Sequence, residues 1–331
     1  MNLKTSYMGF ELKNPIIAGA SPLSASYEGV KSLEDHGAAC VVMHSLFEEQ
    51  INHESHALDH FLFEGSESYA EALSYFPEPE SFDNLNAEHY LEEILRLKHT
   101  IDIPLIASLN GVSAGGWIRY AKKLQEAGAD AIELNITYIP TDPSIDGRSV
   151  EEMYLQDVRS VREHTTLPIS IKMNPYFSAP AHMAKAFERE GAKALVLFDR
   201  PVHADIDLET LNALHRVVLS TSDELSEGLR WSAILYKELN LSLCLSTGVH
   251  THLDLLKAIM SGADAVQMAS ALLRHGAGHI GNVLGELREW MDKHEYESIA
   301  QMKGSLSLNH CPNKAAYERA NYMQTLQEYR S

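Results

Sequence analysis

Four stretches of the chain share one grammar: HGAACVVM at 36–43, AGADAIEL at 127–134, EGAKALVL at 190–197 and SGADAVQM at 261–268. Each reads as a helix end, a Gly able to take the left-handed cap conformation, a small residue and then a short apolar run. A second grammar, a Pro closing a loop before a buried strand, occurs in NPIIAGA (14–20), IPLIASLN (103–110) and LPISIKMN (167–174). LSLCLSTG (241–248) takes the same role without the Pro. The two kinds alternate along the sequence, giving eight short strands whose apolar runs are continuous. Continuous runs imply strands covered on both faces, hence a parallel sheet with helices outside. The expected architecture is an α/β fold of the (β/α)8 TIM-barrel type.

Spacing supports closure. Gly128 to Gly191 is 63 residues and Gly191 to Gly262 is 71, two strand–helix units each time. Gly37 to Gly128 is 91 residues, which is too long for two units. The excess marks an extended insertion between strands 2 and 3, about residues 46–85, rich in Glu, His and Ser and holding FPEPESFDN. It follows a strand C-terminus, so it is expected over the active face. Asn86 to His99 is predicted as a helix burying Tyr90, Leu91, Ile94 and Leu95. Ser149 to His164 is predicted as one carrying mixed charge outward. With no linker and no low-complexity run, residues 1–331 are expected to form one domain.

A net charge of −19 argues against a nucleic-acid surface or an anionic membrane, and no Lys/Arg run offsets it. Cys40, Cys244 and Cys311 lie far apart with no CxxC, so neither a disulfide framework nor a Cys-based zinc site is suggested. No apolar run approaches the length of a membrane span. The opening MNLKTSYMGFELKNP lacks the basic-then-apolar layout of a secretory leader, so a cytoplasmic location is expected.

The segment Leu245–Arg274 carries the first functional signal. It reads as a strand ending in Ser246-Thr247-Gly248, a helix with apolar Leu253, Leu256, Ile259 and Met260, a second strand, and Ala269-Ser270 opening another helical turn. In a (β/α)8 barrel, loops after strands 7 and 8 with a short helix form the usual phosphate grip. Other polar residues at predicted strand C-termini are Ala20-Ser21, His44-Ser45, Ser108, Asn110, Asn135, Lys172 and Asp199. Lys172 ends an otherwise apolar strand, where an ammonium needs an anion or several acceptors unless it snorkels to solvent. Asn135 reads equally as a ligand or as a satisfied strand-end amide. His53, His56 and His60 cluster in the insertion, but their spacing in an acidic loop does not make a metal site, and no metal is expected.

In these residues the chain resembles the dihydroorotate dehydrogenase family of FMN barrels, in particular its soluble class and the offshoot labelled dihydroorotate dehydrogenase-like. The resemblance covers nearly the full length. It is carried in order by GFELKNPIIAGASPLS, VVMHSLFEEQI, LNGVSAGGW, ELNIT, IKMNPYF, STGVHTHLDLLKAIMSGADAVQMASALLRHG and YERANYMQTLQEY. It implies FMN as cofactor. Ala20 and Ser21 then match backbone contacts to the flavin, and Asn110 and Asn135 match polar groups near its ring. Lys172 matches the family's strand-5 lysine at the pyrimidine edge, where a cation favours the reduced ring. Thr247-Gly248 and Ala269-Ser270 match the phosphate loops, where the family usually has Gly-Gly and Gly-Thr. His44 and Ser45 stand where the family has Lys-Ser, a flavin and substrate contact.

Departures fall on the substrate side. The family's strand-4 Asn-X-Ser-Cys-Pro-Asn is here Asn135-Ile136-Thr137-Tyr138-Ile139-Pro140, which puts Tyr138 in the base position. The Asn-Ser-Met-Gly-Leu-Pro-Asn loop is absent, with Tyr75-Phe76-Pro77-Glu78-Pro79-Glu80 in its region, and the asparagine after strand 6 is Phe198 or Asp199. A site without those amides would bury the polar edges of dihydroorotate unpaired. The expectation is an FMN-dependent oxidoreductase transferring hydride between flavin N5 and a small planar molecule other than dihydroorotate. Tyr138 and Lys172 are its candidate catalytic residues. Alternatives are a working dihydroorotate dehydrogenase of pyrimidine biosynthesis with a substituted base, a non-catalytic flavin-binding barrel, and a flavin-free phosphate-binding isomerase. Soluble relatives are often dimers, and the insertion could build a homodimer interface. The oxidant stays open.

Overall fold

The computed structural model describes residues 1–51, 87–111, 116–200, 205–209, 211–214, 217–311 and 327. Each of the eight apolar runs is a strand. These are β1 Ile16–Ala18, β2 Cys40–Phe47, β3 Leu105–Gly111, β4 Ala131–Ile136, β5 Ile169–Met173, β6 Ala194–Leu197, β7 Ser242–Leu245 and β8 Ala265–Met268. Neighbours pair in parallel and β8 pairs back onto β1, so the sheet closes into the predicted eight-stranded barrel. Helices α1 Tyr27–Asp35, α2 Ala87–Lys98, α3 Gly116–Glu126, α4 Gly147–His164, α5 Pro180–Arg189, α6 Leu225–Leu235 and α7 His252–Ser261 alternate with the strands. After β8 come α8 Ser270–His275, α9 His279–Lys293 and α10 Ile299–Met302. Gly191 and Gly262, at φ 95° and 127°, give the left-handed caps that end α5 and α7; Gly37 and Gly128 do the same before β2 and β4.

Strand alternation sorts the buried residues into two layers. Ile16, Ala18, Val41, Met43, Leu105, Ala107, Ile132 and Leu134 pack outward against the helices. Ile17, Cys40, Val42, Ile106, Ala131, Ala194, Val196, Cys244 and Ala265 fill the lower interior. These are mostly small, and the space they leave is filled from below. A short antiparallel hairpin, Thr5–Tyr7 with Phe10–Leu12, lies across the N-terminal mouth. Its Tyr7 is fully buried among those interior residues. Met8 N donates to Ser242 Oγ and Thr5 Oγ1 to the Asp264 carbonyl, which fixes the hairpin to the starts of β7 and β8. Burying a side chain of this size contributes roughly 2 kcal/mol or more.

Two expectations change, and a third falls outside the described residues. Strand β2 runs to Phe47, with a register irregularity between Val42 and Ser45, so His44 and Ser45 sit within the strand and not at its end. Most of the insertion, with His53, His56, His60 and Tyr75–Glu80, lies outside the described residues, as do most of VSAGGW and the YERANYMQTLQEY segment. The helix phases also shift. In α2 the buried face is Ala87, Tyr90, Ile94 and Leu97, while Leu95 is exposed. In α7 Leu255 is buried and Leu253 is exposed. Both helices carry more apolar residues than one face holds, and the stripe centred on the barrel is the one that buries.

Candidate active site

Above the apolar interior the inward-facing residues turn polar. Register places Asn110 opposite Asn135 and Asn135 opposite Lys172, so three adjacent strands present one polar row. One layer lower, Ser45, Ser108, Glu133 and Ser170 are matched in the same way. Glu133 is completely buried, and its Oε1 lies 3.3 Å from Lys172 Nζ. This contact is charge to charge and not an aligned hydrogen bond. Gln267, on β8 across the barrel, donates from Nε2 to Glu133 Oε2. A carboxylate can only accept, so Gln267 must turn its amide nitrogen to Glu133 and its Oε1 away. That Oε1 is buried without a hydrogen-bond donor among the described residues.

Lys172 is therefore held by a protein anion. Burial alone would pull its pKa down, but the attraction of Glu133 and Asp199 outweighs that and raises it, so the ammonium stays protonated. The sequence marked Lys172 and missed its partner. The signal was present, since Glu133 and Gln267 each interrupt an apolar strand run as Lys172 does.

A cleft opens at the C-terminal ends of β7 and β8. It brings together Ala20, Lys172, Thr247, Gly248, Ala269 and Ser270 from the expected set. It adds Gln267, Asp199, Arg200 and Ser220, of which only Asp199 was marked by sequence. The β7 loop is shaped by close approach. Gly248 has φ 92°, and a Cβ there would come within 2.4 Å of Leu225 N at the start of α6. The Ser246 and Thr247 hydroxyls both donate to the Phe198 carbonyl, so these side chains brace the β6 loop. On the β8 side, Ser270 Oγ accepts from Ser220 N at 3.1 Å, which leaves the hydroxyl proton free to donate elsewhere. Ser220 Oγ in turn lies 3.0 Å from His250 Nε2.

The other expected residues do not line this cleft. Ser21 engages both its backbone groups with Ser24 Oγ. Ser45 Oγ meets Ser108 Oγ at 2.9 Å. His44 packs edge-on against Tyr90 with its Nδ1 buried and unpaired among the described residues, and burial lowers its pKa. Asn110 and Asn135 continue the Lys172 row, and Thr137 Oγ1 donates to Asn135 Oδ1 at 3.2 Å. Tyr138 is partly buried against the core. Its backbone N lies 3.4 Å from the hydroxyl of Tyr154, which also accepts from Asn174 Nδ2 at 3.0 Å. No group of three His, Cys, Asp or Glu among the described residues is placed to hold a metal ion.

The arrangement can bind a phosphate end through loop amides and a hydroxyl. At its other end it presents a cation beside an orphaned acceptor. Residues 80–291 match the family model described as dihydroorotate dehydrogenase. The catalytic subunit of dihydroorotate dehydrogenase B (NAD(+)) from Thermoplasma acidophilum is 26% identical over 314 residues, covering 92% of this chain and 98% of the relative. The corresponding subunit from Caldicellulosiruptor bescii is 22% identical, covering 93% of this chain and 100% of its own length. The NAD-dependent dihydropyrimidine dehydrogenase subunit PreA of Escherichia coli is 24% identical over 94% of this chain and 78% of the relative.

Proposed function

The chain belongs to the dihydroorotate dehydrogenase family, and from that premise we propose that it is an FMN-dependent enzyme whose substrate is not dihydroorotate. As a member of this family it is an oxidoreductase. The observation that carries the FMN reading is the pair formed by Lys172 and the free Gln267 Oε1 on one cleft wall. A buried acceptor without a donor is costly, so a ring that brings an N–H to Gln267 and an acceptor to Lys172 fits this wall. The pyrimidine edge of a flavin has that pattern. Gly248, Ala269 and Ser270 supply backbone and hydroxyl donors for a phosphate at the far end.

When bound, FMN supplies the site that accepts or gives a hydride. The residues do the rest. Lys172, kept protonated by Glu133, stabilises negative charge at the edge it contacts. Gln267, oriented by the same Glu133, fixes which way the ring lies. Tyr138, on the loop anchored by Tyr154, is the candidate proton donor or acceptor for substrate. The substrate reading rests on what replaces the amides after β6, a buried Phe198 and a cleft-facing Asp199.

The test is the natively purified protein. It is expected to be yellow, to release FMN on boiling, and to be bleached only slowly by dihydroorotate without oxygen. Colourless protein that does not quench added FMN removes the cofactor assignment. Rapid bleaching by dihydroorotate removes the substrate assignment.

A further inference from the structure

The charges around Lys172 narrow the substrate class, an inference that rests on the function just proposed. Strand β6 ends at Leu197, and the next two residues are pinned from both sides. The Phe198 carbonyl accepts from Ser246 and Thr247, and Asp199 N donates to the Met173 carbonyl at 2.8 Å. With the backbone fixed, Phe198 goes to the core and Asp199 lines the cleft beside Lys172.

Among the described residues two cations line this cleft, and each has an anion. Lys172 is paired with Glu133 at 3.3 Å. Arg200 is paired with Glu224 at 2.7 Å and also donates to the Val218 carbonyl. The Asp199 carboxylate accepts no hydrogen bond and makes no ion-pair contact among the described residues, although it attracts the Lys172 ammonium from further off. Among these five groups the balance is one negative charge in excess, and it sits on Asp199. Asp199 and Arg200 also line a neighbouring cleft that holds Glu224 and Glu227, so the approach from that side adds no free cation among the described residues.

We propose that Asp199 selects an uncharged cyclic amide, a dihydropyrimidine-type ring that donates an N–H to the carboxylate, and rejects rings that carry a carboxylate of their own. A carboxylate brought to about 5 Å from Asp199 in a partly screened site is disfavoured on the order of a hundredfold. A ring N–H at the same place satisfies the aspartate by a charge-assisted bond. Among the relatives, one is named for a carboxylate-bearing substrate, dihydroorotate, and another for dihydropyrimidine. Asp199 favours the second chemistry here.

The test uses the FMN-loaded protein, titrated with uracil and separately with orotate, reading the flavin difference spectrum. Uracil is expected to saturate and orotate to bind at least a hundredfold more weakly. Asp199→Asn should improve orotate at least tenfold and weaken uracil, which loses the charge-assisted bond, so that the preference between the two collapses, while Asp199→Glu should keep the wild-type preference. Equal flavin content in all three proteins shows that the cofactor site is intact. Orotate binding as tightly as uracil, an unchanged ratio in Asp199→Asn, or no response to either ring overturns the assignment of Asp199 without touching the FMN reading. Protein that takes up no flavin fails the function itself, and that outcome is recognised by its colour alone.

Discussion

Glu133 is the residue on which the upper half of the barrel interior depends. It neutralises Lys172 with one oxygen and orients Gln267 with the other. Removing one partner of a buried ion pair leaves the other charge unpaired, which costs more than the pair contributes. Glu133→Gln and Lys172→Met are each expected to lower unfolding stability by about 3 kcal/mol. The double variant should lose at least about 1 kcal/mol less than the sum of the two. Urea denaturation of the four proteins measures that coupling, and simple additivity would mean that the ion pair does not act as a unit. Lys172 should give no pH dependence of stability near neutrality. A lysine whose pKa is raised contributes stability below its ordinary 10.5 and loses it only as pH rises beyond that value. Lys172 was legible in the sequence as a charge in an apolar run. Its partnership with Glu133 was not, because that depends on the register between β4 and β5, which residue spacing along one chain does not contain.

At the level of elements, the strands were easier to read than the helices. Each strand is a continuous apolar run between Gly or Pro punctuation, so an error of one residue changes little. Helix faces are set by phase, and Leu95 and Leu253 show that one position decides between core and solvent. The stretch after β6 was harder still. It contains a small hairpin, Asp205–Asp207 with Asn212–Leu214, in which Asp205, Asp207 and Asn212 are polar and Ile206 is exposed, so it gives no periodic signal. Arg200 and Ser220 flank this excursion, and only the fold returns both to one cleft. Helix α4 carries a different kind of exception. Asp157 is on its buried face with Oδ2 unpaired among the described residues, and burial, with some repulsion from Glu48, raises its pKa to about 7. An acid with a raised folded pKa is better tolerated when protonated. Its penalty is absent below the ordinary value near 3.8 and grows as pH rises to about 7. Asp157→Asn should therefore raise stability by about 1–2 kcal/mol at pH 8, after allowance for solvent screening, and change little at pH 4. Thermal melts at the two pH values check this; an equal effect at both would show that the folded protein does not raise the pKa of Asp157.

On the scale of the whole molecule, the eightfold alternation of two sequence grammars was enough to define the closed sheet. The layering inside it followed from residue size, small and apolar below, polar above. What the sequence did not announce was the use made of the first dozen residues. The N-terminal hairpin turns an open tube into a cup, with Tyr7 as its stopper. Traffic through a stoppered vessel has to share the rim. If a flavin lies along the cleft there, electron donor and electron acceptor take turns above the same ring, the spent donor departing before its successor arrives. Steady-state rates at several fixed acceptor concentrations should then give parallel double-reciprocal lines, whereas converging lines would require a berth for both guests at once.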